Sequence, residues 1–151
     1  MKEFKKILFP VDLSETSPKL VPYAKSMAKK FDAEVHLLFV TRVFQYFASI
    51  YVPHTSINLF ETELVEGAEK SLYEFKEEYF ADIPETRSSV VIGDAAEEIM
   101  KYIQSEGIDL VIMGSHGRKG MDKVIFGSVA EKVVKTSPVP VLIVNPHCIV
   151  L

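Results

Sequence analysis

Apolar and polar positions alternate along this chain in two rhythms. Short continuous apolar runs recur between longer segments whose apolar residues return every three or four positions. The run ending "FKKILFPV" (4–11) suits a strand buried on both faces. Pro10, which has no backbone donor, belongs at its end, so the spacing predicts a strand near 5–9 and a turn at 10–14. The polar cluster "DLSETSP" offers Ser14 or Ser17 as an N-cap and Pro18 in a first helical turn. Leu20, Ala24, Met27, Ala28 and Phe31 then form one stripe of a helix facing a sheet. A second buried strand, "EVHLLFV", follows at 34–40.

Residues 41–57 carry Phe44, Tyr46, Phe47, Tyr51 and Pro53 without a clear period. They fit a lid, part of an interface, or a helix extension that covers the sheet's edge. Leu64, Ala68, Leu72, Phe75 and Tyr79 mark a helix over 58–80. "SSVVIG" reads as a third strand, and 94–107 as a helix opened by Asp94 and closed by Gly107. Residues 108–113 read as a fourth strand, "SVAEKVVKTS" as a helix with Val129, Val133 and Val134 inward, and "VPVLIVN" as a fifth strand.

Alternation of this kind predicts one α/β domain over 1–151: an open parallel five-stranded sheet with helices on both faces and right-handed crossovers. At 151 residues the chain can bury roughly two thirds of its unfolded surface. In such sheets ligands bind beyond the carboxyl ends of the strands, where strand order reverses.

Charge and cysteine content narrow the partners. A net charge of −4, with no Lys/Arg-rich stripe, argues against nucleic acid. The one cysteine, Cys148, cannot form an internal bridge, and the N-terminal apolar run is broken by Pro10 and Asp12. The expectation is a protein of the reducing cytoplasm that does not enter a membrane. His36 falls within a strand, His54 and His147 are isolated, and no metal cluster follows from the spacing.

The densest chemistry lies in "GSHGRKGMDKVIFGS" (114–128), between the fourth strand and the last helix. Gly114 and Gly117 allow positive φ and close backbone approach, so that N–H groups can turn toward an anion. Gly127 and Ser128 then set a helix N-terminus against the same anion. Phosphate is the natural guest, with Arg118, Lys119 and Lys123 available to screen its charge. Neither a P-loop nor a G-x-G-x-x-G fingerprint is present.

G-x2-G-x9-G-[ST] at this junction, with "ILFPVDLSE" before it and "SPVPVLIV" after it, resembles the universal stress protein family, and 113–144 is similar to its ATP-binding subgroup. The resemblance covers nearly the whole chain, departing in the variable segment 41–57 and in the tail 146–151. It implies a Rossmann-like, adenine nucleotide alpha hydrolase-like sheet of order 3-2-1-4-5, ATP with Mg²⁺ carried on its phosphates, and a homodimer joined through the fifth strand and C-terminal tail. The implied site comprises Pro10, Val11, Asp12, Val40, Met113, Gly114, His116, Gly117, Arg118, Gly127, Ser128 and Val129. Asp12 would reach the adenosine half or else cap the segment 14–18, and Val40 would pack on adenine or serve as core. His116 and Ser115 lack the neighbours of a catalytic set.

Three functions follow from the resemblance and the loop. The first is a nucleotide-dependent regulatory module of the stress response that signals to an unknown protein partner. The second is a weak or partner-stimulated ATPase. The third is a dimeric interaction protein that binds no nucleotide; a phospho-receiver of this type would need an acidic pair after the first strand, where Asp12 stands alone.

Overall fold

A computed structural model describes residues 1–42, 54–116 and 126–147, with the side chains of 54–57 left aside. Five strands, β1 (Lys6–Pro10), β2 (Glu34–Thr41), β3 (Thr86–Ile92), β4 (Leu110–Gly114) and β5 (Val141–Val144), form one sheet of order β3-β2-β1-β4-β5. Every pairing is parallel. Among the described residues four helices connect them: α1 (Ser17–Phe31), α2 (His54–Phe80), α3 (Ala95–Glu106) and α4 (Ser128–Thr136).

Neighbouring residues of a strand face opposite ways, which divides the core in two. Ile7 and Phe9 of β1 join Leu20 and Ala24 of α1 and Leu72, Phe75 and Phe80 of α2 on one side. Leu8 joins Ile99 and Ile103 of α3 and Ala130 and Val133 of α4 on the other. A parallel sheet must be covered on both faces, and two helices per face achieve this.

Several boundaries differ from those the spacing predicts. β1 runs through Pro10, whose missing donor is made good one residue later by Val11 N–H on the Leu38 carbonyl at 2.9 Å. The cap position before α1 is Thr16 rather than Ser14 or Ser17, and no side chain caps there. Both serine hydroxyls donate instead to Asp12 Oδ1, at 2.6 and 2.8 Å, because a carboxylate is the stronger acceptor. α2 begins at His54, so the helix enters the segment 41–57, and residues 43–53 lie outside the described residues.

β3 extends back to Thr86 through exposed Arg87 and Ser88, polar positions that an edge strand tolerates and an apolar count misses. β4 starts at Leu110, because Ile108 N–H turns back to the Ile103 carbonyl at the end of α3. That turn needs Gly107 at φ 67°, as expected of a closing glycine. Val134 is 48% exposed and not inward; Ala130 and Val133, three residues apart, carry the buried stripe of α4. Asp94 does cap α3, accepting from Glu97 N–H at 3.1 Å.

Candidate functional site

Strand order reverses between β1 and β4, and a cavity of about 530 Å³ opens beyond their carboxyl ends. Pro10, Val11, Asp12, Val40, Met113, Gly114, His116, Gly127, Ser128 and Val129 all line it. Gly117, Arg118, Lys119 and Lys123 lie outside the described residues.

Three surfaces make up its walls. On the first, Leu13 adopts φ 58°, a conformation costly to a branched side chain by about 1–2 kcal/mol, and the turn it creates is pinned by Asp12. Asp12 Oδ1 accepts from Ser14 N–H at 3.0 Å as well as from the Ser14 and Ser17 hydroxyls. Asp12 thus pins the turn before α1 without capping the helix, and it lines the cavity.

The second wall is apolar. Leu38 and Val40 project from β2 on the face of α3 and α4, and Ile99 and Ala130 meet them from those helices. Val40 packs with the core and also faces the cavity.

The third wall is the start of α4. Gly127 takes the cap position at φ −67°, ψ 158°, and its carbonyl accepts from Glu131 N–H at 3.0 Å. Helix geometry leaves the N–H groups of Ser128, Val129 and Ala130 without an intrahelical acceptor, and these residues border the cavity. The helix dipole adds positive potential at that point.

Gly114 acts through size and not through φ, which is not positive. A Cβ there would lie 3.1 Å from Leu20 Cδ1 and 3.2 Å from the His116 carbonyl oxygen. Next to it, Ser115 and His116 are both buried, and the Ser115 hydroxyl lies 2.8 Å from His116 Nδ1. The His116 ring also meets that of His147 edge-on at 5.8 Å. His147, isolated in sequence, therefore has His116 as a ring neighbour.

Sequence reasoning missed Leu20, Leu38 and Ile99, which read only as core, and Arg42 and Ala95, which carried no motif. Arg42 Nη2 donates to Asp94 Oδ2 at 3.0 Å. The Glu97 N–H holds the Asp94 carboxyl below its usual range, helped by Lys132 and Arg42. Among the described residues no group of three His, Cys, Asp or Glu side chains could hold a metal ion.

The description of the universal stress protein family matches residues 3–145. The chain belongs to the universal stress protein family. Universal stress protein MJ0577 of Methanocaldococcus jannaschii is 33% identical over 94% of this chain and 95% of its own length. The solved structure of MJ0577 superposes with a TM-score of 0.83, covering 95% of this chain and 97% of that one. Universal stress protein YxiE of Bacillus subtilis is 32% identical, over 94% of this chain and 99% of its own. A universal stress protein solved in complex with cAMP shares the fold at a TM-score of 0.68 and 18% identity, covering 96% of this chain and 99% of that one. The family assignment agrees with the resemblance carried by the glycine loop, and the sheet order is the one that resemblance implies.

Proposed function

We propose that this universal stress protein binds ATP at the β1/β4 cleft and works as a nucleotide-dependent regulatory module of the stress response. The observation that carries the reading is the polarity of the cleft. An anion-seeking helix start at Gly127–Ala130 lies along one wall, and an apolar slot at Leu38, Val40 and Ile99 along another. A nucleotide has the same division between phosphates and base. Asp12 also lines the cleft, and its carboxylate is suited to accept from ribose hydroxyls.

Mg²⁺ would arrive on the phosphates, which need few protein ligands for it. The protein would act in the reducing cytoplasm through a protein partner still to be found. Among the described residues no helix is long and apolar enough to cross a membrane. β5 is the outermost strand beside β4, and Leu142 on it is 36% exposed. An apolar open edge of this kind supports a homodimer joined through β5 and the tail.

The test is direct. Protein is denatured as purified and its supernatant resolved by ion exchange for adenine nucleotides; stripped, refolded protein is then titrated with ATP, ADP, AMP and cAMP, with and without Mg²⁺. Co-purified ATP, or ATP binding tighter than AMP and cAMP, is the expected result. Absence of binding to all four would overturn the proposal.

A further inference from the structure

Arg42 follows β2 directly, and with Leu38 and Val40 it completes a row of alternate residues along one wall of the cleft. The row is apolar until its last member. Arg42 is 45% exposed and its guanidinium pairs with Asp94, at 3.0 Å.

Asp94 is itself immobilised. Its Oδ1 caps α3 through Glu97 N–H, and Lys132 of α4 approaches the same oxygen at 3.8 Å. The carboxylate therefore joins the end of β2 to the start of α3 and the middle of α4. Arg42 lines the cleft together with Val40, Ala95 and Ile99, and a guanidinium that pairs through one edge keeps its flat π face for a further contact. Such a face suits a planar heterocycle better than a phosphate, for which the start of α4 is the stronger site.

We infer that Arg42 is the outer wall of the base slot, stacking on the ring of the bound purine, and that Asp94 is the positioning residue that orients it. This rests on the nucleotide reading of the cleft. Nothing in the loop motif or the strand-end aspartate requires it.

Four proteins, the wild type, Arg42→Ala, Arg42→Lys and Asp94→Asn, together with the double variant Arg42→Ala/Asp94→Asn, would be titrated with ATP, adenosine and inorganic tripolyphosphate. Arg42→Ala should weaken ATP and adenosine by the same factor, about three- to tenfold, and leave tripolyphosphate unchanged. Lysine should not restore the loss, because an ammonium has no planar face. Asp94→Asn preserves the cap of α3, since Asn caps as well as Asp, and should reproduce part of the loss. That loss should vanish when Arg42 is already Ala.

Unchanged adenosine affinity in Arg42→Ala would overturn the inference. So would a loss shared by ATP and tripolyphosphate but not adenosine, which would make Arg42 a phosphate contact. Wild-type protein that binds neither ATP nor adenosine would defeat the nucleotide reading itself, an outcome visible before any variant is made.

Discussion

The carbonyl of Ser115 accepts the N–H of Gly127 at 2.6 Å, so the glycine loop leaves β4 and returns to α4 at one point. Ser115 N–H in turn donates to the Val144 carbonyl at 2.9 Å, tying this junction to β5. The helix start that faces the cleft is thus placed by the sheet, whatever the length of loop between.

This placement separates binding from folding at Gly127. Its backbone angles are open to any residue, so Gly127→Val should lower the unfolding free energy by no more than about 1 kcal/mol, the scale of a changed N-cap. A side chain at the cleft wall should nonetheless abolish nucleotide affinity. Calorimetric titration paired with thermal melts checks both halves; retained affinity in a folded variant would remove Gly127 from the site.

Asp12 should couple the two. Asp12→Ala removes the acceptor of the Ser14 N–H and of the Ser17 hydroxyl and leaves the Ser14 hydroxyl with Thr16 alone, and should cost about 1–3 kcal/mol in urea unfolding. Nucleotide affinity should also fall, though less than for Gly127→Val. Unaltered stability would show that the Asp12 turn is not held by its carboxylate.

His36 makes stability depend on pH. It is fully buried on β2, with Nδ1 2.8 Å from the Tyr102 hydroxyl and Nε2 in close contact with Glu34 Oε1, also at 2.8 Å. Burial lowers its pKa, outweighing the raising effect of Glu34; Arg87 lowers it further and Glu106 raises it. A depressed folded pKa means that the unfolded chain binds the extra proton first. Stability is therefore full above about pH 6.5 and declines as pH falls below it, by at most about 1.4 kcal/mol per pH unit from this group. Urea midpoints between pH 8 and 5 should decline more steeply for wild type than for His36→Leu. Parallel declines would exclude His36 as the cause.

Asp82 works in a lower range. Hydrogen bonds from Lys25 and then Lys29 pull its pKa down to about 2. The pair's contribution is present above about pH 3.8 and is lost as pH falls through about 2. Carboxyl NMR titration should find Asp82 still ionised at pH 3, and high salt should move its pKa back toward the ordinary value. An ordinary Asp titration at low salt would show that the two lysines do not engage it in solution.

The proposed dimer is checked by sedimentation. Wild-type protein at micromolar concentration should run at twice the chain mass of 17.0 kDa, and Leu142→Lys should run as the monomer. A wild-type monomer with and without nucleotide would end the proposal.

Much of this molecule was legible from local signals. The alternation of apolar runs and helical stripes determined an α/β parallel sheet, because a two-sided strand and a one-sided helix each leave a distinct period in the chain. The glycine spacing pointed to Gly114, Gly127 and Ser128, since a strand end followed by a helix start is a contiguous feature, and the family resemblance carried by the motifs pointed to Met113 and Asp12. The polar beginning of β3 was not legible, because an edge strand is held by its neighbour's backbone and carries no apolar signature at Arg87 and Ser88. Nor could contiguous sequence show that His116 is buried against His147, or that Arg42 meets Asp94 across 52 positions of chain. Local periodicity decides which elements form and which face of each is apolar. Which side chains from different elements share one cleft depends on sheet order and packing, and those are decided only when the elements meet.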